Sequence, residues 1–232
     1  EDIAEEETIE PVIPPHDRRY AVAGDAALDE AARRILAAER PLLLIGAGAN
    51  RRRASKALRK FVSDTGFPFF DTQMGKGVVD EDSELYLGTA ALSSGDYVHC
   101  AIEKADLIVN IGHDVVEKPP FFMEPDGQTV IHINYKAAEV DQVYFPQLEV
   151  IGDIAGSVER LGSRLDGKLQ CDRSYYTALH HEIASHISET SDDERFPMVP
   201  QRVVADVRSV MARDDIVALD NGIYKIWFAR NY

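Results

Sequence analysis

Several things are scarce or missing in this sequence, and each omission narrows the reading. It has two cysteines, Cys100 and Cys171, far apart and without metal-ligand spacing. That excludes a disulfide-stapled secreted fold or a cysteine-built zinc module, and no bridge between them is expected. No apolar run approaches the roughly 20 residues that a spanning helix requires, so membrane insertion is not expected. Positive charge is in short supply, with 25 Lys and Arg against 40 Asp and Glu for a net charge of −15. An extended nucleic-acid surface needs a basic face to meet the phosphates, so no nucleic-acid partner is expected and solubility is the simpler meaning of the charge. The opening EDIAEEETIE has neither a basic flank nor an apolar core. It therefore reads as no secretory signal, and a cytoplasmic protein is expected. An initiator methionine is also lacking, and the sequence stops at Tyr232 inside what reads as an element, so a piece of a longer chain is expected.

What remains is an alternation of apolar runs and helical patterns. Leu42 to Ile45 is a continuous apolar run followed by Gly46, Ala47 and Gly48, then by Ala57, Leu58 and Phe61 at helix spacing. An uninterrupted run of that length suits a parallel strand buried on both faces, and the unit reads as strand, tight turn, helix. Further strands are predicted at Phe67 to Phe70, Leu85 to Gly88, Leu107 to Ile111, Thr129 to Ile133 and Leu148 to Ile151. Helices are predicted from Asp25 (as cap) to Ala38 with Leu28, Ala31, Ala32, Ile35 and Leu36 inward, over Asp96 to Ala105, and from Ile154 to about Leu165 behind Gly152-Asp153. The fold class is α/β, a doubly wound Rossmann-like parallel sheet, which places ligands at the carboxyl ends of its strands.

Composition divides the chain into a proline-rich linker over 1–24, the α/β unit over 25–165, a linker with a helix near Tyr175 to Ile187 over 166–199, and a partial second α/β domain over 200–232. In that last part a helix from Pro200 is expected to turn Val203, Val204, Val207 and Val210 or Met211 inward. Ile216 to Leu219 reads as a new strand ending at Asp220, Asn221 and Gly222.

The motifs carry little chemistry by themselves. GAGAN lacks the third glycine of a dinucleotide fingerprint, Arg51 standing in its place, although Asp71 lies near the offset of a ribose-binding acid. The alternative is that the glycines only permit close strand-to-helix packing. Arg51, Arg52 and Arg53 read as a solvated basic patch before a phosphate site. His132, inside a strand, reads as a satisfied core histidine, and His180 and His181 are poor joint ligands on one helix. No nucleophile elbow, zinc motif or Walker loop is present.

The order of the pieces is more informative than any one of them. AERPLLLIGAGA, FPFFDTQMGKGVVDEDSELYLGTA, ADLIVNIGHDVVEKPPFF and QTVIHINYKAAEVDQVYFPQLEVIGD resemble, in sequence order, the middle domain of thiamine-diphosphate-dependent acetolactate synthases and their relatives. DNGIYKIW, with Asp220, Gly222 and Trp227, is similar to the start of that family's cofactor-binding domain. The resemblance implies a parent enzyme of three α/β domains, a homodimer or homotetramer, with thiamine diphosphate and Mg²⁺ held between chains. It implies decarboxylation of pyruvate and ligation of the two-carbon unit to a second 2-oxo acid, in a branched-chain amino acid or acetoin pathway. Asn221, Gly222, Ile223 and Tyr224 match the loop that approaches the cofactor diphosphate. The cofactor-activating glutamate and the metal motif have no counterpart here, so no catalytic residue and no metal ligand are assigned, and this piece alone is expected to be inactive and structural.

The biosynthetic branch carries FAD in the middle domain, and Gly46, Ala47, Gly48, Thr72, Gln73, Met74, Gly112, His113 and Asp114 match its flavin-contact regions. The run GHDVVEKPPFF is closer to the flavin-free catabolic branch, with Phe121 and Phe122 as groove fillers, and absence of flavin is expected. The other reading is a nucleotide- or flavin-binding regulatory or scaffold domain of a related decarboxylase. A sirtuin-like deacetylase would need a four-cysteine zinc module.

Overall fold

The computed structural model describes residues 20–90, 96–113, 117, 127–139, 144–167 and 169–232. Its centre is Pro41–Ile45 (β1), buried at every position. Side chains alternate across a strand, so Leu43 and Ile45 enter one hydrophobic core and Leu42 and Leu44 the other. Two-sided burial is the reason the run shows no polar alternation.

On one side β1 pairs in parallel with Phe69–Thr72 (β2), which pairs with the edge strand Tyr86–Ala90 (β3). On the other it pairs with Leu107–Ile111 (β4), followed outward by Thr129–Asn134 (β5) and Leu148–Ile151 (β6). The six-stranded order is β3-β2-β1-β4-β5-β6. Every pairing is parallel, and the chain changes direction of travel between β1 and β4, the switch point at which this architecture opens a crevice.

Helices Asp25–Ala37 (α1), Arg52–Thr65 (α2) and Ile154–Leu165 (α4) cover one face. In α2 the buried residues Ala54, Ala57, Leu58, Phe61, Val62 and Thr65 recur at helical spacing and form one stripe against the sheet. Asp153 caps α4 as expected, its Oδ2 accepting from the Gly156 N–H at 2.7 Å. The opposite face is covered by His99–Lys104 (α3) and Arg173–Ser188 (α5), which contribute Ala101, Ile102, Tyr176, Leu179 and Ile183 to the second core. Pro200–Val210 (α6) and Tyr224–Asn231 (α7) follow. No helix among the described residues is long and apolar enough to cross a membrane. Cys100 and Cys171 are free thiols.

Four local expectations are corrected. Gly24, not Asp25, is the N-cap of α1. Asp25 is the first helical residue, and its carboxylate is held by Arg160 and Arg164, both at 2.5 Å. Leu36 falls off the buried stripe and is 41% exposed, on the side of α1 turned away from its main neighbours α4 and β6. In α6 Val204 alone is buried, and Val203 and Val210 face outward. Ile216 to Leu219 forms no strand, and Ile216 is 89% exposed. A parallel strand owes its hydrogen bonds and its dry faces to neighbours, and none of the described strands lies beside this run.

Candidate functional site

The loops leaving β1, β2 and β4 meet at the switch point. After β1, Gly46 leads into a 3-10 turn, Ala47–Ala49, which runs on to the start of α2. Its glycines bring backbone against backbone. The Gly48 N–H donates to the Gly112 carbonyl at 2.7 Å, and a Cβ on Gly48 would stand 2.9 Å from that oxygen. Gly112 has φ +71, and a Cβ there would lie 2.5 Å from Ala49 N. Such a position is strained for any side chain and blocked besides.

The donors of this turn are all engaged within the protein. Gly46 N–H donates to Ile111 O at 2.9 Å, Ala49 N–H to Gly46 O at 3.0 Å, Asn50 N–H to Ala47 O at 3.0 Å and Arg51 N–H to Ala49 O at 2.8 Å. The remaining one, Ala47 N–H, donates to the Glu117 carboxylate, with both oxygens at 2.9 Å. Thr72 Oγ1 donates to Glu117 Oε1 at 2.5 Å and accepts from Gly75 N–H at 3.1 Å. Glu117 thus ties the ends of β1 and β2 together from the loop beyond β4.

Of the residues matched to a nucleotide groove, Gly46, Ala47, Gly48, Thr72, Gly112 and His113 converge here. His113 is buried, its carbonyl accepting from Asn134 Nδ2 at 3.1 Å. Met74 sends its side chain outward, 61% exposed, and offers only its carbonyl, to Asn50 Nδ2 at 3.2 Å. Gln73 is half-buried beside it. Asp114, Phe121 and Phe122 lie outside the described residues. Glu117 belongs to the GHDVVEKPPFF run, which the sequence marks only as a family pattern, since no spacing rule links its carboxylate to a turn 70 residues away.

Beside the switch point a cleft of about 320 Å³ is lined by Tyr20, Gly48, Arg51, Arg53, Tyr135 and Asp153, among others. Arg53 is already committed, pairing with Asp153 at 2.7 Å and lying over the Tyr20 ring at 4.1 Å. A larger cavity of about 550 Å³ lies between α2 and α4, away from the strand ends.

A family model described as "Thiamine pyrophosphate enzyme, central domain" matches residues 28–161. The chain belongs to this family. Thiamine pyrophosphate is thiamine diphosphate under its other name. Similar curated proteins include the acetolactate synthase of Bacillus subtilis (strain 168), 28% identical over 90% of this chain and 38% of the relative. The catabolic acetolactate synthase of Raoultella terrigena is 27% identical over 91% of this chain and 39% of its own length. Glyoxylate carboligase of Escherichia coli O157:H7 is 23% identical over 86% and 35%. The chain therefore spans under two fifths of these relatives.

Within this central domain the buried polar groups are mostly structural. His132 is a satisfied core histidine, as the sequence reading has it. Asn110 Nδ2 donates to Tyr144 Oη at 2.7 Å, so the phenol can donate to His132 Nδ1 at 2.9 Å, and Nε2 then carries the proton toward Lys136 O at 3.2 Å. His180 and His181 share α5, and His180 Nδ1 donates to Tyr86 O at 2.5 Å. Asp71 does not face a ribose site. It is buried between β2 and β3, receives the Tyr86 hydroxyl at 3.3 Å, and burial pushes its carboxyl up to about 8 against the pull of Lys76 and with the push of Glu81.

Asn221, Gly222, Ile223 and Tyr224 lie in a separate place, at the entry to α7, which packs on α6, α5 and the edge strand β3. Ile223 and Tyr224 are exposed. The first N–H groups of a helix have no intrahelical acceptor and sit at its positive end, which fits contact with a diphosphate. No group of three or more His, Cys, Asp or Glu suited to a metal is found among the described residues.

Proposed function

We propose that this chain is the central part of an acetolactate synthase-like carboligase, followed by the first elements of its cofactor-binding domain. The parent would decarboxylate pyruvate and join the two-carbon unit to a second 2-oxo acid. The family match over 28–161 carries the reading, and relatives named acetolactate synthase support its substrate class. When bound, thiamine diphosphate would supply the electron sink for decarboxylation, with Mg²⁺ on its diphosphate. The contribution of this chain would be to present main-chain N–H groups at Ile223 and Tyr224 to that diphosphate and to hold the loop at a fixed place on the sheet edge. The parent would act as a homodimer or homotetramer in the cytoplasm, and the present chain alone would be inactive and structural.

The same reading holds the switch-point groove to be free of flavin, since the donors that would take a dinucleotide phosphate are engaged within the chain. A rival reading, a nucleotide-binding regulatory or scaffold domain, draws on the cleft beside Tyr20, Arg51 and Tyr135. An ADP titration by calorimetry separates the two. For the enzyme, acetolactate formation from pyruvate is measured with the full parent, thiamine diphosphate and Mg²⁺. Absence of product from folded parent would sink the substrate assignment.

A further inference from the structure

We infer that the Glu117 carboxylate is a built-in anion that fills the phosphate cradle of the switch point and determines that this groove takes no dinucleotide. The inference rests on the flavin-free reading above and goes beyond it by naming the residue responsible. Three observations converge. A glycine-bearing turn after β1 at the crossover of a doubly wound sheet is where a ligand diphosphate accepts main-chain hydrogen bonds. In this turn the Gly46, Gly48, Ala49, Asn50 and Arg51 N–H groups are held by carbonyls of the protein itself, and only Ala47 N–H points at a group that is chemically an anion. That anion also takes the Thr72 hydroxyl, a second polar group at the site, at 2.5 Å.

Charge strengthens both contacts, since hydrogen bonds to an ionised acceptor are roughly twice as strong as neutral ones. A phosphate entering here would have to displace the carboxylate from both donors and then share the space with its negative charge. The backbone is close-packed at Gly46 as well. A Cβ on Gly46 would meet His113 Cα at 2.5 Å and Glu117 Oε2 at 2.8 Å, so the turn, the end of β4 and the carboxylate already touch.

The test uses the full parent protein, saturated with thiamine diphosphate and Mg²⁺ so that its cofactor diphosphate site is filled, and inorganic pyrophosphate and ADP as probes, by calorimetry in low-chloride buffer. The wild type is expected to bind neither in this groove. Glu117→Ala, checked for folding by circular dichroism, is expected to gain at least tenfold in pyrophosphate affinity over wild type. Glu117→Gln keeps an acceptor over Ala47 N–H but removes the charge, so it is expected to show a smaller gain, and it carries the test if the alanine variant does not fold. No gain in either folded variant overturns the inference. So does a wild type that binds pyrophosphate as tightly as the variants do. Parent protein that purifies with stoichiometric flavin absorbance refutes the flavin-free reading and the inference with it, whereas an unchanged affinity in the variants of a flavin-free parent refutes the inference alone.

Discussion

Arg230 of α7 reaches back across the chain to Asp96, 134 residues earlier, and its removal should release the C-terminal segment from the central domain. The guanidinium meets Asp96 Oδ1 through Nε at 2.7 Å and Nη2 at 2.5 Å, with the Asp96 side chain 2% and the Arg230 side chain 10% exposed. Deleting one partner of a buried, hydrogen-bonded ion pair destabilises by about 3–5 kcal/mol. Beyond this pair α7 is held by packing on α6, α5 and the edge strand β3. It has eight residues, too few to persist alone, and Ala229 is its one buried residue. Asn231 Nδ2 adds a hydrogen bond to Ile187 O at 2.7 Å. The loss in Arg230→Met is therefore expected to appear as local release of α7 before the sheet unfolds. Trp227, the single tryptophan of the chain, lies on α7 with its ring 5.4 Å from the Arg230 guanidinium, so its fluorescence reports this event directly. In urea, Arg230→Met should show a tryptophan transition well below the circular-dichroism transition, where the wild type shows the two together or more nearly so. If release instead unfolds the whole chain, about 3 kcal/mol corresponds to roughly 6–12 °C in Tm for a protein of this size. The double variant Asp96→Asn/Arg230→Met should recover part of the loss, because the buried carboxylate charge is removed together with its guanidinium. A tryptophan transition and Tm that stay within about 0.5 kcal/mol of wild type would refute the reasoning.

Asp71 makes a pH prediction with a defined sign. Its unfolded carboxyl ionises above about 3.8 while the buried one stays protonated to about 8, so its contribution falls as pH rises between those values and levels off above. Urea melts of wild type against Asp71→Asn should show a wild-type disadvantage growing by about 1 kcal/mol per pH unit from pH 5.5 to 7.5; parallel curves would disprove burial of a neutral acid. Gly112→Ala should cost more than about 2 kcal/mol, since the residue must hold φ +71 and its Cβ would stand 2.5 Å from Ala49 N. Gly77→Ala is the control, for it also has a positive φ but nothing within 4 Å. Equal loss in both would show strain without the close contact.

Much of this fold is legible in the sequence because burial on both faces leaves a plain mark. The apolar runs at Leu42 to Ile45 and Leu107 to Ile111 fall within strands, and the Ala57, Leu58 and Phe61 stripe lies on α2. Ile216 to Leu219 carries the same mark without forming a strand, since composition records suitability for a sheet and not the presence of neighbours. The site is harder to read. That Gly46 to Gly48 turn tightly follows from residue type, but whether their N–H groups face a ligand or the protein depends on Ile111, Gly112 and Glu117, which are distant in sequence. The Asp96 and Arg230 pair leaves no local signal for the same reason: neither residue has unusual neighbours, and only the fold brings them together.

The meeting of Gly48 and Gly112 bears also on how the sheet can move. A doubly wound sheet resembles a book whose two covers, here β3-β2-β1 and β4-β5-β6, join along one spine. In this protein the loops are clasped across it, by the Gly48 N–H on the Gly112 carbonyl and by Glu117 reaching the ends of β1 and β2. The covers are then fastened at the carboxyl ends of the strands as well as along the β1-β4 ladder, so a shift of one half is passed to the other through the clasp as well as the ladder.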